Sequence, residues 1–313
     1  MPMLSPIILF LSIIIDRIFG ELPEKIHPTV WIGNIISFFE KILKSTHSKN
    51  KYKDFIFGTL TTISVLFIVF GAIYGVEILI NNIQNIYIKY IVYSFLISTT
   101  IGYKSLLQFS KTPLNHIKNK DIESAKKSVQ CIVSRNTDKL DTKHILSASI
   151  ESASENITDS IIAPLFYAIF FGLEGAFIYR AINTMDAMLG YRNKKYEYYG
   201  KLPAILDDIA NFIPSRISGI LLVLFAPLYG GNIKKALNGF IKEGHKTPSP
   251  NSGYTMAVMA NSLNMTLEKI GYYKLGNGEI TLKKAYNSLF SIDVVIFSFI
   301  VLYSIYYVIF YYF

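Results

Sequence analysis

Apolar runs long enough to cross a lipid bilayer recur along the chain. A transmembrane helix needs about 20 predominantly apolar residues. Four runs approach or reach that length: residues 4–20, 55–76, 90–109 and 294–313. The third run requires the long side chain of Lys104 to reach the interface, and Asp16 and Arg17 shorten the first. The pattern predicts an all-α, polytopic integral membrane protein with about four clear transmembrane helices.

Two further apolar stretches contain residues that interrupt helices. Residues 160–179 carry one charge, Glu174, flanked by glycines, and residues 217–233 carry no charge but contain Pro227. Irregular backbone at membrane depth is tolerated only where it is buried in protein or lines a cavity. We therefore expect both stretches to be re-entrant or protein-buried segments that enter the membrane without crossing it. Six true spans remain the alternative.

The distribution of lysine and arginine indicates which loops face the cytoplasm. Six of these residues lie in 25–53 and nine in 104–143, whereas the connection 77–89 contains only Lys89. Because cytoplasmic loops carry the excess of positive charge, both basic loops are predicted inside and residues 77–89 outside. If both interrupted stretches crossed the membrane, the basic segment 183–216 would lie outside and break this rule.

The composition agrees with a single membrane-embedded domain over residues 1–313. The hydrophobic fraction is 51% and the charged fraction only 17%, against about 25% in soluble domains. Segments 104–156 and 183–287 are expected to be mainly cytoplasmic and to form the functional site. No cleaved signal peptide is expected at the N-terminus.

Net charge and motif content narrow the function classes. The net charge is +9, but the basic residues lie in loops between apolar runs, so nucleic acid is not an expected partner. Cys131 is the single cysteine, which excludes an intramolecular disulfide and a cysteine-rich zinc site. The sequence contains neither a G-x-x-x-x-G-K-[ST] loop nor a G-x-G-x-x-G turn, so any nucleotide is held by a less familiar site.

Three carboxylates share one predicted helix face just before an apolar run. Glu151, Glu155 and Asp159 are spaced i, i+4 and i+8. Like charges at this spacing repel, so a divalent metal, arginines or protonation should compensate them. A solvated acidic face is the alternative, although solvation is poor beside an apolar run.

Two other clusters combine acids, amides and arginines. The first of the two consists of Arg180, Asn183, Asp186 and Arg192. The second consists of Asp207, Asp208, Asn211 and Arg216. Oxygen ligands of this kind suit Mg²⁺, and arginines bind phosphate groups in a bidentate manner. Helix capping or ion pairing at a membrane edge is the alternative.

A fourth polar cluster is the turn HKTPSPNSGY at residues 245–254. It exposes amide groups ahead of a predicted helix start at Ser252, a geometry that binds anions. Ser249 and Asn251 are its candidate phosphate-binding residues, and an ordinary loop is the alternative. His27, in IHPTVWIGN, is a weaker signal, because a lone histidine is more often a structural residue than a ligand.

Taken in order, these motifs resemble the adenosylcobinamide-phosphate synthase (CobD/CbiB) family of cobalamin biosynthesis. The matching stretches are Asp16 with Gly20, His27-Pro28 with Gly33, Arg135 with Thr137 and Leu140, Glu151 with Glu155-Asn156 and Asp159, YRAINTMDAMLGYRNKKY, YGKLPAILDDIANFIPSR and SPNSGY. The sequence departs from the family pattern at Ser134 and Asn136, where a glycine and an aspartate are usual. It also departs at residues 267–269, where LEK stands in place of LGG.

The resemblance implies an ATP-dependent amide ligase. Such an enzyme joins the propionate carboxylate of adenosylcobyric acid to aminopropanol phosphate or a related amino-alcohol phosphate, and gives adenosylcobinamide phosphate. The expected route is an acyl phosphate formed from ATP, with Mg²⁺ neutralising charge.

The clustered residues acquire roles under this interpretation. The candidate catalytic acids are Glu151, Glu155, Asp159, Asp186, Asp207 and Asp208. The candidate metal ligands among them are Glu155, Asp159, Asp207 and Asp208. The candidate substrate- and phosphate-binding residues are His27, Arg135, Arg180, Asn183, Arg192, Asn211, Arg216, Ser249 and Asn251. We expect the acids to converge into one pocket at the cytoplasmic face of a multi-pass protein of the cell membrane.

Two other functions remain as alternatives. An intramembrane prenyltransferase holds Mg-diphosphate with paired acidic motifs, which the clusters at 183–186 and 207–211 loosely imitate. A membrane transporter would need charges deep within the long spans, and residues 55–76 and 294–313 contain none. The expected partners are the corrinoid, the amino-alcohol phosphate and the lipid bilayer, with a homo-oligomer or other corrinoid-pathway membrane proteins as further candidates.

Overall fold

The computed structural model describes residues 4–43, 50–133, 136–191 and 193–312, and these residues are predominantly helical. Within these described ranges, three helical runs are long and apolar enough to cross a membrane: Lys51–Asn81, Thr142–Leu189 and Leu282–Phe310. The predicted all-α, membrane-spanning class is therefore confirmed.

The chain forms two compact units, each built from two segments. Unit 1 comprises Met1–Gly102 and Ala163–Ala210, and unit 2 comprises Tyr103–Ile162 and Asn211–Phe313. The helices of unit 1 are α1 (Pro6–Phe19), α2 (Pro28–Leu43), α3 (Lys51–Asn81), α4 (Ile86–Ser98), α8 (Ala163–Leu189) and α9 (Lys201–Ala210). The helices of unit 2 are α5 (Tyr103–Lys118), α6 (Ile122–Gln130), α7 (Thr142–Ile157), α10 (Phe212–Leu224), α11 (Ile233–Glu243), α12 (Ser252–Ser262) and α13 (Leu282–Tyr312). Unit 2 also contains an antiparallel hairpin of strands β1 (Leu267–Lys269) and β2 (Tyr273–Leu275).

Asparagine side chains start two of the apolar helices of unit 1. The side-chain oxygen of Asn50 accepts hydrogen bonds from the amides two and three residues ahead of it at the start of α3. Asn85 does the same at the start of α4. These bonds satisfy donors that a helix start otherwise leaves without a partner. Helix α3 contains the whole predicted span 55–76 and extends beyond it at both ends.

A glycine lets α3 pack directly on backbone that precedes α9. A Cβ added at Gly58 would lie 1.9 Å from the carbonyl oxygen of Tyr199. One turn later, the hydroxyl of Thr61 lies 2.7 Å from the Tyr199 hydroxyl, and both side chains are buried. No larger residue at position 58 leaves this contact intact, so the sequence of α3 fixes how closely the two segments approach.

The predicted span 90–109 is wrong as a single helix. Helix α4 ends at Ser98, residues 99–102 form a turn, and a new helix begins at Tyr103. The hydroxyls of Ser98, Thr99 and Thr100 each donate to the carbonyl three residues earlier. Such local bonds compete with helix hydrogen bonds, and hydropathy does not detect them. The predicted span 4–20 also proves short, because α1 has 14 residues.

The predicted helix breaks in the stretch 160–179 are confirmed, although its path through the membrane stays a prediction. Residues Thr158–Ile162 form a π-helical turn directly before Ala163-Pro164. Proline cannot donate a backbone hydrogen bond, and π turns accommodate such defects within long helices. Within α8, Gly172 has φ +63°, a left-handed conformation that L side chains rarely adopt.

The stretch 217–233 is also broken where the sequence predicts. Helix α10 ends at Leu224, a 3₁₀ turn covers Ala226–Tyr229, and Gly230 has φ +80°. A Cβ at Gly230 would lie 2.8 Å from the side-chain nitrogen of Asn287 on α13, so the turn packs closely against that helix. Whether this stretch crosses the membrane stays a prediction.

A carboxylate that the sequence interpretation missed joins several short elements of unit 2. Glu243, at the end of α11, accepts hydrogen bonds from the Asn261 side chain and the Gly276 amide, both at 2.7 Å, and from Lys246 at 3.0 Å. Burial acts to raise the pKa of Glu243, but these donors together hold it below its usual value. Glu243 therefore joins α11, α12 and the residues after β2 through one ionised group.

His27 begins helix α2. Its carbonyl accepts the first helical hydrogen bonds, and its ring Nδ1 accepts a hydrogen bond from the Thr29 amide at 3.1 Å. The ring is buried, and burial lowers the pKa of His27; the Arg180 cation lowers it further, whereas Glu21 opposes the shift. The neutral imidazole is therefore the form that caps α2.

Gly58→Ala is expected to destabilise the protein, because its Cβ would overlap the Tyr199 backbone carbonyl and no side-chain rotation relieves that contact. Overpacking of this kind typically costs about 1–3 kcal/mol. Thermal unfolding of the purified protein in detergent measures the loss. Gly71→Ala is the matched control in the same helix, because a Cβ there meets nothing within 4 Å. Equal midpoints for the two variants would contradict the close approach.

The contribution of His27 to stability should decrease in acid. Because the folded-state pKa is lowered, the unfolded chain binds the proton more readily, so the contribution is complete above the unfolded value of 6.5 and is lost as the pH falls below it. His27→Asn keeps a capping oxygen that does not titrate and should remove this part of the pH dependence. Identical pH profiles of thermal unfolding for the wild type and His27→Asn would refute the assignment.

Candidate functional site

Arg180 on α8 completes the hydrogen bonding of the broken end of α4. Its Nε donates to the carbonyl oxygen of Thr100 at 2.9 Å, and its terminal Nη2 donates to the same oxygen. Thr100 is fully buried, so this carbonyl has no access to water. A buried carbonyl without a donor costs free energy comparable to a lost hydrogen bond. The guanidinium is therefore positioned by a backbone feature that hydropathy did not reveal.

The same guanidinium starts a polar chain that connects α8 to α9. Its Nη1 donates to the side-chain oxygen of Asn183 at 3.3 Å, and the Asn183 amide donates to Asp207 Oδ1 at 3.2 Å. Asp207 is 9% exposed. The structure thus brings together Asn183 and Asp207, residues of the two mixed clusters that are 24 positions apart in the sequence. The arrangement fixes the orientation of the Asp207 carboxylate.

The other two candidate acids of unit 1, Asp186 and Asp208, differ in their surroundings. Asp186 follows Asn183 by one turn of α8, and a Cβ at Gly190 would lie 2.0 Å from its Oδ1, so the turn after α8 closes tightly over this side chain. Asp208 follows Asp207 on α9 and is partly exposed. His27 belongs to the same electrostatic environment, since Arg180 is among the charges that shift its pKa. Arg192 lies outside the described residues.

In unit 2, Arg216 on α10 is held between two aromatic rings. Its guanidinium carbon lies 3.9 Å from the ring centroid of Phe212 and 4.2 Å from that of Tyr254. It donates to the side-chain oxygen of Asn251 at 2.5 Å and to the Pro250 carbonyl at 3.1 Å. Cation–π contacts and planar hydrogen bonding both suit arginine. The arginine of the third cluster therefore contacts the fourth, the SPNSGY turn.

The SPNSGY turn is a packed turn with internal hydrogen bonds. The amide of Asn251 donates to the Ser249 hydroxyl at 3.2 Å, and the Thr247 hydroxyl donates to the Ser249 carbonyl at 2.9 Å. Helix α12 then begins at Ser252, which confirms the predicted start. A Cβ at Gly253 would lie 2.3 Å from the Gly244 carbonyl, which explains why only glycine fits at this position. Asn211, the first residue of the second segment of unit 2, is buried.

Glu151 on α7 is a buried carboxylate that fastens the β-hairpin to this helix. It is 6% exposed. Its Oε1 accepts a hydrogen bond from the Ser147 hydroxyl at 2.5 Å, and its Oε2 accepts one from the Tyr273 hydroxyl at 2.9 Å. Ser147 in turn accepts a hydrogen bond from the Glu268 amide at 2.7 Å. Helix α7 and both strands are therefore joined through one carboxylate and one hydroxyl, a network that we name the Glu151 clamp.

A cleft opens beside the Glu151 clamp, with a cavity volume of about 160 Å³. Its lining is Ile132, Val133, Ala148, Glu151, Ser152, Glu155, Asn156, Lys269 and Tyr273. Glu155 lies one helical turn after Glu151, as the predicted carboxylate face requires, and is partly exposed. Asp159 lies in the π turn that comes next along the chain, also partly exposed. Arg135 lies outside the described residues.

Carboxylate oxygens are ligands that Mg²⁺ takes in proteins, together with waters. Over the described ranges, no group of three or more His, Cys, Asp or Glu side chains lies close enough to hold a metal ion. Magnesium bound with substrate phosphates keeps several waters and uses only one or two carboxylates. Glu155, Asp159, Asp207 and Asp208 fit that looser mode of binding, and their role as ligands stays a prediction.

Sequence interpretation missed three residues at the cleft and its supporting network: Ser147, Lys269 and Tyr273. The stretch at 267–269 stands out in the sequence only because LEK replaces the glycines usual in the resembling family, and it forms β1 here. In the hairpin, Lys269 pairs with Tyr273. No periodic pattern connects this hairpin to α7, which lies more than a hundred residues earlier, so only the folded arrangement reveals that they share a cleft.

Comparisons with known proteins agree with the resemblance carried by the motifs. The family described as CobD/Cbib protein matches residues 9–291. A relative from Methanococcus maripaludis strain C7 is 63% identical over 97% of this chain and 99% of its own length. A relative from Methanocaldococcus jannaschii is 62% identical over 97% of this chain and 98% of its own length. A relative from Methanothermobacter thermautotrophicus is 40% identical over 86% of each of the two chains. Each is named probable cobalamin biosynthesis protein CobD.

No solved structure matches the chain. The family match nonetheless covers every polar cluster described above, and the first two relatives match along nearly their whole length. The chain therefore belongs to the CobD/CbiB family.

Proposed function

We propose that this membrane protein is the amide-forming ligase of cobalamin biosynthesis that joins adenosylcobyric acid to an amino-alcohol phosphate. The product is adenosylcobinamide phosphate. The observation that carries the proposal is the CobD/CbiB family match over residues 9–291. The names of the relatives support a role in cobalamin biosynthesis, and the polar clusters supply groups that amide formation requires.

The reaction proceeds in two balanced steps. The propionate carboxylate attacks the terminal phosphorus of ATP, which forms an acyl phosphate and releases ADP. The amine of the amino-alcohol phosphate loses a proton to a carboxylate base and attacks the acyl carbon, and phosphate leaves with the electrons of the C–O bond. The amine is an ammonium ion at neutral pH, so a general base is essential for the second step.

The chain supplies the base and the phosphate-binding groups from separate networks. The carboxylates at 207 and 208 are the proposed base or metal-binding pair, and the bonds from Arg180 through Asn183 orient Asp207. Arg216, held by two rings and Asn251, is preorganised to bind phosphate oxygens. A magnesium ion at the acids would neutralise phosphate charge. In unit 2, the Glu151 clamp positions the cleft rather than taking part in proton transfer.

We propose that the site lies at the cytoplasmic side of a multi-pass protein of the cell membrane. Adenosylcobyric acid and ATP are polar metabolites, and the excess of lysine and arginine in the segments around the site favours a cytoplasmic location for them. Oligomerisation with itself or with other corrinoid-pathway membrane proteins belongs to the same proposal.

Asp207→Asn and Asp208→Asn are expected to reduce ligation by at least about 100-fold, the lower range for loss of a general acid–base group. Membranes containing each variant are incubated with adenosylcobyric acid, aminopropanol phosphate, ATP and Mg²⁺, and the amide product is quantified by mass spectrometry. Glu197→Gln is the matched control, because this acid is exposed and lies in the same unit.

Three results would count against the proposal. Wild-type turnover retained in both variants would remove the two aspartates from the mechanism. Wild-type membranes that transfer isoprenyl groups or carry ions without forming the amide would replace the ligase with a prenyltransferase or a transporter. Product formed without ATP would remove the acyl phosphate route.

A cysteine at position 195, in a Cys131→Ser background, should resist an impermeant maleimide added outside intact cells and react after permeabilisation. Lys195 is exposed, so a cysteine there is accessible to reagent. Gln84→Cys, in the connection predicted to lie outside and also exposed, is the control that should react from outside. Labelling of residue 195 in intact cells would place the segment 183–216 outside and overturn the proposed orientation.

A further inference from the structure

We propose that the cleft between α7 and the β-hairpin binds the amino-alcohol phosphate, with Glu155 binding its ammonium group and Lys269 its phosphate. This inference rests on the proposed ligase function and specifies where the small substrate binds. It is carried by the size of the cleft, by the opposite charges on its two walls, and by the network that holds those walls together.

The size of the cleft selects a small ligand. Sites for drug-sized molecules enclose roughly 300–1,000 Å³, whereas this cavity has a volume of about 160 Å³. A corrin macrocycle with its adenosyl group is larger than a drug-sized molecule. ATP is itself about the size of a drug molecule, so both are too large for this cleft. Of the three reactants, only the amino-alcohol phosphate, with a short carbon chain between two charged ends, matches the cleft.

The lining of the cleft is complementary to a zwitterion. One wall, on α7, presents Glu155 with the polar side chains of Ser152 and Asn156. The other wall, on the hairpin, presents Lys269, whose ammonium nitrogen lies 4.9 Å from the centroid of the Tyr272 ring. A carboxylate suits an ammonium ion, and lysine binds phosphate as a point charge.

The remainder of the lining suits the carbon chain of the ligand. Ile132, Val133 and Ala148 contribute apolar surface to the lining. Small-molecule sites combine such apolar surface with a few placed polar groups. A free inorganic phosphate has no carbon chain to contact this apolar surface, so the lining favours a ligand with an alkyl segment.

The Glu151 clamp keeps the two charged walls at a fixed separation. Tyr273 and Glu268 lie beside Lys269 in the hairpin. The Tyr273 hydroxyl donates to Glu151 on α7, and the Glu268 amide donates to the Ser147 hydroxyl, which in turn donates to Glu151. Glu155 lies one turn along the same helix. Binding the substrate then requires little further ordering of the protein, and this preorganisation increases affinity. Glu151 is a positioning residue in this arrangement.

Steady-state kinetics with the full-length protein in membranes test the assignment. Lys269→Met and Glu155→Gln should each raise KM for aminopropanol phosphate by roughly 10- to 100-fold, the effect of one lost charge-assisted hydrogen bond. KM for ATP should not change. Lys269→Met should also reduce the preference for aminopropanol phosphate over unphosphorylated aminopropanol, whereas Lys269→Arg, which keeps the charge, should retain it.

Lys274→Met is the matched control. Lys274 lies on β2 in the same hairpin, is exposed, pairs with Glu268 at 3.7 Å and is not part of the cleft lining. Its replacement removes one positive charge from the same hairpin and should leave KM for aminopropanol phosphate at the wild-type value. An equal effect of Lys274→Met and Lys269→Met would show a general charge effect and overturn the assignment.

Calorimetric titration of the purified protein with aminopropanol phosphate alone separates this inference from the proposed function. The wild type could bind aminopropanol phosphate, and Lys269→Met could weaken this binding, while no amide forms in the ligation assay. That result would refute the ligase function and leave the cleft assignment intact. Ligation with unchanged KM in both cleft variants would refute the cleft assignment and leave the ligase intact. Absence of both binding and ligation would refute both.

Discussion

Every backbone carbonyl that a helix break buries in this apolar protein needs a donor, and the bonds from Arg180 to Thr100 meet that need at the end of α4. The break exists because three hydroxyl side chains bond to their own helix. Because this carbonyl is buried away from water, a guanidinium with several donors is well suited to satisfy it and still reach a second partner. That second partner is Asn183, and through it Asp207. In unit 1, the repair of a helix end and the orientation of a candidate catalytic acid thus depend on the same side chain.

Unit 2 uses a carboxylate in the corresponding way. Glu151 and Ser147 provide the hydrogen bonds that fasten the hairpin to α7, so the cleft between them has walls of fixed separation. Buried ionisable groups are tolerated when their hydrogen bonds are satisfied. In both units, polar residues that stabilise the fold also hold neighbouring candidate site residues in place. The proposed amide formation would need such order, because a base, an amine and an activated carboxyl group must meet in one geometry.

Much of the helical architecture was predictable from local pattern. The uncharged run 55–76 lies within α3, the run that begins at residue 294 forms most of α13, and the breaks expected near Gly172 and Pro227 are present. The run 90–109 failed because hydropathy sums composition and does not register hydroxyl groups that compete for backbone carbonyls. At the candidate site, residue type and spacing indicated the mixed clusters but not Glu243, Tyr273 or Lys269. The importance of these three comes from partners distant in sequence, for which single-sequence periodicity carries no information.

Sequence alone was sufficient for the class of the protein, its family and its polar clusters, since these depend on residue type, spacing and order along the chain. Three-dimensional packing was needed to establish that Asn183 contacts Asp207, that Arg216 contacts Asn251, and that Glu151 joins a helix to a hairpin. The reason is physical. Hydropathy reports whether a segment favours water or an apolar environment, and the helical period reports which residues share one face of a helix. Hydrogen bonds between segments depend on where distant backbone is placed, and close contacts such as Gly58 on Tyr199 determine that placement.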